Sequence, residues 1–256
     1  MKLAGCAAIV TGSSSVTGIG AECAKALAGR GCNVVVNYVS NEEGARRTAE
    51  DCAALGAEVL VCRGDVSLDE DCRRMVAEAV ERWGRLDVLV NNAAVTRPVP
   101  QRELEALDAE EFLRIYRVNV VGAFQMTRAA AAHLRASGDA AVVNVSSIGA
   151  WRGNGSSIAY GASKGALNTL TVSLARVLAP EIRVNCVCPG GLLGSWTEKI
   201  LSEEQYAARV NDANTKYPLR KAIWPADVAR TALWLIAEAD TMTGEAIRMD
   251  AGQHLM

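Results

Sequence analysis

The chain has 256 residues, half of them apolar and 22% charged, so it can bury one large core, and α/β domains of this length are commonly single. A formal net charge of −2 leaves no basic field, which argues against nucleic acid or an anionic membrane surface as partner. Every apolar run is broken by Lys, Arg, Asp or Gly before the roughly 18 residues of a spanning helix, and MKLAGCAAIVTG runs straight into strand-like sequence with no room for a cleavable signal, so a cytoplasmic protein is expected.

In chain order, 7–11 reads as a strand and 19–29 as a helix, joined by the turn TGSSSVTGIG. The Val-rich run NVVVNY makes 33–38 a strand, followed by a helix over 42–55 that stops at Gly56. A strand at 58–63 leads to a helix over 68–83, and 86–91 is again a strand. A long helix is expected over 109–135, then a strand at 140–146 and a helix over 158–178 stopped by Pro180. Residues 183–188 return to strand, 225–237 reads as helix and 245–249 as the last strand. These strands carry apolar residues on both faces, as a parallel sheet covered on both sides requires. The expected fold is α/β: a single doubly wound Rossmann-type domain over 1–256, with a mostly parallel seven-stranded sheet and helices on both faces. The least regular stretch, 190–219, follows a strand end, where open sheets of this kind bind ligands, and reads as a substrate lid.

Eight cysteines, at 6, 23, 32, 52, 62, 72, 186 and 188, form no CxxC pair, and the two histidines, His133 and His254, stand apart from them. The expectation is neither a metal site nor a disulfide, but small apolar fillers of strand and helix faces.

Three local patterns carry chemistry. In TGSSSVTGIG, Gly12, Gly18 and Gly20 allow a sharp turn and close approach to a pyrophosphate, Ser13, Ser14 and Ser15 offer hydroxyls, and the helix starting at Ile19 offers free N–H groups and a positive dipole end. Asp65-Val66 and NNAA at 91–94 fall at carboxyl ends of strands; Asp65 either accepts from an adenine amino group or serves as a turn residue, and Asn91 and Asn92 satisfy backbone at a strand end. Tyr160 and Lys164, four apart in YGASK, share one helix face, and an ammonium beside a phenol favours the phenolate. Either Tyr160 passes a proton to and from a substrate oxygen that Ser147, at the end of the fifth strand, would hold, or Tyr160 and Lys164 are a solvated surface pair, the ordinary meaning of such a spacing taken alone.

With these residues the chain resembles, over essentially its whole length, the short-chain dehydrogenases/reductases of about 250 residues, in particular their 3-oxoacyl-carrier-protein-reductase-like members. The matching segments, in order, are the turn ending Gly18-Ile19-Gly20, Asp65, NNAA, Asn119 in RVNVVGAF, Ser147, Tyr160 with Lys164, Pro189-Gly190 and the closing TGEAIRMDAG. The resemblance implies hydride transfer between a nicotinamide and a small-molecule carbonyl or secondary alcohol, with Tyr160 as general acid/base, Lys164 tuning it and gripping the nicotinamide ribose, Ser147 orienting the carbonyl and Asn119 holding a water chain. It implies cofactor contacts from Gly12, Ser14, Gly18, Ile19, Asn37, Asp65, Val66, Asn92, Ala93, Tyr160, Lys164, Pro189, Gly190 and Ser195, and a homotetramer or homodimer paired through the long helices.

Three departures stand out: two extra residues in the glycine turn, Ala94 in place of the last Gly of NNAG, and Gly194 where a Thr is usual, which moves the carboxamide contact to Ser195 or to backbone. The second strand ends Asn37-Tyr38-Val39-Ser40 without the acid that holds a ribose 2′-hydroxyl, while Thr17 stands where a basic residue is common; on balance this favours NADP over NAD. A catalytically idle cofactor-binding regulator and a non-redox use of the same fold are the competing readings, and the intact Asn119, Ser147, Tyr160 and Lys164 set weighs against both. Arg97 is either a substrate contact or a surface charge, and Trp151, Trp196, Tyr206 and Tyr217 are candidates for an apolar pocket.

Overall fold

The computed structural model describes residues 1–256, except the side chains of Ser195, Trp196 and Lys199. Seven strands form one sheet: β1 (Ala7–Val10), β2 (Asn33–Tyr38), β3 (Val59–Arg63), β4 (Val88–Asn91), β5 (Ala140–Val145), β6 (Ile182–Pro189) and β7 (Ala246–Met249). Their order is β3-β2-β1-β4-β5-β6-β7 and every pairing is parallel. The order reverses between β1 and β4, which opens a crevice at their carboxyl ends.

The period of two in the strands divides the core into two layers. Ala8, Val10, Val34, Val36, Val88 and Val143 face one layer, which is closed by Cys23 and Leu27 of α1 (Ile19–Ala28), Ala45 and Cys52 of α2 (Glu42–Ala54) and Leu235 of a late helix at Pro225–Ala237. Ile9, Val35, Leu89, Val142 and Val184 face the other, beneath Met75 of α3 (Asp69–Trp83), Met126 and Leu134 of a helix at Ala123–Ser137, and Leu174 of one at Ile158–Leu178. This is why each strand reads as a continuous apolar run instead of alternating. All eight cysteines are buried and unpaired, and burial pushes the Cys23, Cys62 and Cys72 thiols up to about 12, so they behave as the apolar fillers expected.

The expected long helix over 109–135 is α4 (Ala109–Tyr116) running through a π-turn, Arg117–Gly122, into α5 (Ala123–Ser137). Gly122 lies so close to the 65–66 turn that a Cβ on it would meet Val66 Cγ2 at 2.6 Å. A short helix, α6 (Gly149–Arg152), precedes α7 (Ile158–Leu178). The segment 190–219 is more regular than its composition suggested. It holds α8 (Ser195–Ile200) and α9 (Glu203–Thr215), the latter opened by a capping box in which Ser202 and Gln205 satisfy each other's backbone N–H groups. The chain then enters α10 (Pro225–Ala237) and β7. Among the described residues no helix is long and apolar enough to cross a membrane, and no cluster of His, Cys, Asp and Glu could hold a metal.

Candidate active site

The glycine turn after β1 is clamped from both sides. Gly12 adopts φ +63°, and a Cβ there would lie 2.9 Å from the Ala93 backbone, so the turn and the NNAA segment can meet only at a glycine. Thr11 Oγ1 accepts from the N–H groups of Asn92 and Ala93, each at 3.0 Å. The Asn92 carboxamide donates to the carbonyls of Thr11 and Gly12, both at 2.9 Å. From the other side Asn37 Oδ1 accepts from Gly12 N at 2.9 Å while its Nδ2 donates to Gly64 O at 2.9 Å. The turn delivers the chain into α1 at Gly18, where no side chain caps the first-turn N–H groups. Ser15, Gly18 and Ile19 line a cleft of about 870 Å³, and no carboxylate is among its described lining residues. Free helix N–H groups, a positive dipole end and glycines that leave the surface bare suit the pyrophosphate of a dinucleotide.

Across the crevice, β5 ends at Val145 and the following Ser146 and Ser147 both reach local backbone. Ser146 Oγ donates to Lys164 O at 3.1 Å, and Ser147 Oγ accepts from Gly149 N at 3.1 Å. Ser157 caps α7 by accepting from Tyr160 N at 3.2 Å, which starts the helix so that Tyr160 and Lys164 face the cleft together. Lys164 is 2% exposed; its Nζ donates to Val145 O at 2.8 Å and lies 5.5 Å from the centre of the Tyr160 ring. Burial drives the ammonium down to about 8 and the Tyr160 phenol up to about 12, with a hydrogen bond from Ser147 opposing the rise. Burial thus shifts the Tyr160 phenol toward its protonated form, the opposite direction to the one expected of a phenol beside an ammonium. The π-turn carries Asn119 inward, where Oδ1 accepts from Val95 N at 2.8 Å and Nδ2 donates to Val95 O and Ser163 Oγ, both at 3.0 Å. Ser163 Oγ in turn donates to Tyr160 O at 2.7 Å.

The cleft wall thus brings together Gly18, Ile19, Asn92, Ser147, Tyr160, Lys164, Pro189 and Gly190 of the residues singled out in the sequence. Ser15 lines it in place of Ser14, whose carbonyl is held by Asn41 Nδ2 at 2.8 Å. Asn37 is buried with both carboxamide atoms engaged by protein, so its part is to brace the turn. Asp65 makes the turn-residue contact, Oδ1 accepting from Ser67 N at 2.8 Å, and Val66 is buried beside it. Gly12 and Ala93 form the floor behind the wall through their mutual approach. The Ser195 and Trp196 side chains lie outside the described residues; Thr197 lines the cleft, with Oγ1 donating to Gly194 O at 2.9 Å. Trp151 is exposed beneath the Arg248 guanidinium, Arg97 is exposed, and Tyr217 is buried against Gly191. Sequence reading missed Thr11 as the clamp and the wall formed by Gln101, Asn154, Gln205, Arg209 and Gln253; for Gln205 and Arg209 the usable signal was their four-residue spacing behind a capping box.

A glycine-turn cradle facing a Tyr–Lys helix across the switch point defines a nucleotide-dependent oxidoreductase architecture, and comparison with known proteins agrees. A family model described as enoyl-(acyl carrier protein) reductase matches residues 12–254. A Streptomyces violaceoruber protein named "Granaticin polyketide synthase putative ketoacyl reductase 2" is 43% identical over 249 residues, covering 97% of this chain and 96% of its own. An Arabidopsis thaliana protein named NADPH-dependent aldehyde reductase 1, chloroplastic, is 31% identical over 265 residues, covering 98% of this chain and 87% of its own. A crystal structure of a "putative short-chain dehydrogenase/reductase" from Burkholderia xenovorans superposes with a TM-score of 0.90 at 39% identity, covering 98% of each chain. The chain belongs to the short-chain dehydrogenase/reductase family, as an enzyme of NAD(P)-dependent oxidoreduction on small molecules.

Proposed function

We propose that the enzyme interconverts a ketone or aldehyde and its alcohol, with Tyr160 as the proton donor and acceptor, and with NADP(H) preferred over NAD(H). The observation that carries this reading is the convergence of Ser147, Tyr160 and Lys164 on one wall of the cleft that also receives the uncapped α1 N-terminus. The nicotinamide, when bound, supplies or accepts the hydride. Tyr160, proton-bearing at neutral pH, donates to the carbonyl oxygen during reduction, and Ser147 Oγ orients that oxygen. Lys164 stabilises the charge left on the phenol and binds the nicotinamide ribose. Asn119, locked to Val95 and Ser163, is a positioning residue that holds the Tyr160 turn of α7 against the 93–96 segment, and carries the water chain from its main chain. Ser15, Gly18, Ile19 and Asn92 hold the pyrophosphate side, Asp65, Val66 and the Ala93 backbone border the adenosine, and Gly190 and Thr197 border the nicotinamide. The 190–219 segment, with α8 and α9, acts as the substrate lid.

Preference for NADP(H) is supported by the lack of an acid at the end of β2, where Asn37 is engaged by the turn, and by Arg63, whose Nε donates to Val39 O at 3.2 Å and sets a cation at that edge. The name of the Arabidopsis relative points the same way. A panel of carbonyls assayed with NADPH and NADH separately, followed by nicotinamide absorbance, should show kcat/KM higher with NADPH by about tenfold or more, the scale of one charge-assisted contact. Equal or better use of NADH would overturn the preference, and no turnover of any carbonyl with either would overturn the reading.

Leu113, Tyr116 and Phe124 along the 109–137 helix, and Val172 and Val177 on α7, are exposed apolar side chains on the two long helices. Exposed apolar side chains on two long helices support pairing with a second copy, as a dimer or tetramer. Light scattering on the purified protein should give a mass of two or four subunits, and a monomer would contradict it.

A further inference from the structure

Resting on that reading of the site, we propose that Arg209 is a specificity-determining cation and that the substrate is an oxo acid or hydroxy acid, its reacting carbon at Tyr160 and its carboxylate at Arg209.

The cleft wall carries two cationic side chains, Lys164 and Arg209, and no carboxylate among the described lining residues. Lys164 is engaged with Val145 O beside Tyr160. Arg209 belongs to neither the glycine turn nor the Tyr–Lys face. It stands on α9 one helical turn after Gln205 and one before the fully buried Ala213, so the exposed Gln205 and half-buried Arg209 lie on the side of α9 that borders the cleft. Arg209 is half-buried, yet no hydrogen bond or ion pair joins it to any described residue. Some helical guanidinium groups are paired, Arg74 with Asp71 and Glu78 and Arg114 with Glu111, while Arg176 and Arg117, unpaired among the described residues like Arg209, are exposed to solvent rather than set in the cleft. A partly desolvated guanidinium left without an anion is costly unless a ligand supplies one, and a carboxylate matches its fork geometry.

The surroundings assign Arg209 to the substrate end. It lies near enough to Tyr217 to act on it electrostatically, as does Arg152, and the Tyr217 hydroxyl occupies the space that a Cβ on Gly191 would need. Gly191 follows Pro189-Gly190 and donates its N–H to Gln253 Oε1 at 2.8 Å. The acids of this neighbourhood are taken: Asp212 pairs with Lys216 at 2.8 Å and Asp250 with His254 at 2.8 Å. Gln205 and Gln253 flank the site with neutral amide groups that can complete a carboxylate's hydrogen bonds. The same cleft is lined by Pro98, Val99, Ile148, Leu192 and Leu201, which offer apolar surface for a carbon chain.

The test compares acetoacetate and levulinate with their methyl esters, and dihydroxyacetone phosphate with dihydroxyacetone, using the wild type, Arg209→Gln and Arg209→Lys. For at least one keto acid the wild type should favour the acid over its ester by about tenfold or more in kcat/KM, as one charged hydrogen bond allows. Arg209→Gln should collapse that ratio mainly through KM, and Arg209→Lys should restore part of it. NADPH affinity, titrated by fluorescence, should be unchanged in Arg209→Gln. The idea is overturned if esters match or beat the acids in the wild type, if the ratio survives Arg209→Gln, or if that variant loses NADPH affinity, which would make Arg209 a cofactor contact. Preference for the phosphate ketone over the keto acids would replace carboxylate with phosphate as the anion and so overturn the oxo-acid assignment. Turnover confined to neutral carbonyls would sink this inference while leaving the hydride-transfer reading intact; no turnover of any carbonyl would remove both.

Discussion

Replacing Tyr160 with Phe is expected to abolish reduction, lowering kcat by about a hundredfold to ten-thousandfold, the range of a lost general acid, while NADPH affinity stays close to that of the wild type. The substitution removes one oxygen and leaves the ring, so α7 and its Ser157 cap keep their geometry. The Tyr160 phenol is held near 12 by burial, so at neutral pH it carries the proton that reduction needs. No other group on that wall can stand in: Lys164 Nζ is directed to Val145 O, and the Ser147 hydroxyl is a far weaker acid than a phenol. Steady-state kinetics with NADPH fluorescence titration on the same preparation would check it, and full turnover in Tyr160→Phe would sink the mechanism.

Lys164→Met should have the second-largest effect, and in two directions. Turnover and cofactor affinity should both fall, because in the proposed mechanism the Lys164 ammonium stabilises the Tyr160 oxygen and binds the ribose. The fold without cofactor, by contrast, becomes more stable at neutral pH. Burial depresses the Lys164 ammonium from its ordinary 10.5 to about 8. Between those values the unfolded chain binds a proton that the folded protein does not, so stability rises as pH rises from 8 to 10.5 and is lost again as pH falls back through 8. The difference amounts to about 3 kcal/mol at about 1.36 kcal/mol per unit. Subtracting the Lys164→Met denaturation curve from the wild-type curve at each pH removes the titration of groups remote from Lys164, and repeating the pair in a Tyr160→Phe background removes that of Tyr160. A difference that stays flat across this window would show that the buried ammonium carries no such cost. The charge is kept at a conformational expense because the site uses it, a common pattern where stability and activity compete.

The alternation of helix and strand and both core layers were legible because each rests on short-range periodicity, two in a strand and 3.6 in a helix. The Tyr160/Lys164 pair, by contrast, stood out only through the ordered set of motifs that resembles the family. The glycine turn was legible as a turn, but which hydroxyl meets the cleft was not. Ser14 and Ser15 are neighbours in sequence, and the fold sets Ser15 on the cleft wall while Asn41, at the start of α2, holds the Ser14 carbonyl. Asn37 and Asp65 stand where cofactor contacts belong in the family, yet their side chains are engaged by Gly12, Gly64 and Ser67. The 190–219 segment looked irregular because α9 carries few apolar residues, and its helix depends on the Ser202–Gln205 cap more than on a hydrophobic stripe.

By itself, then, the amino-acid sequence determined the doubly wound sheet and the side of it on which ligands gather, which follow from local pattern and from the backbone freedom of glycine; the proposed roles of Tyr160 and Lys164 come from the family resemblance. The tertiary structure alone decided protonation and polarity. Tyr160 and Lys164 are pushed apart to about 12 and about 8 by the depth at which strands β5 and β6 bury α7, and Arg209 becomes a cleft cation because α9 folds back over the strand ends. Desolvation and pairing depend on what the rest of the chain brings within a few ångströms, and no spacing within one segment encodes that.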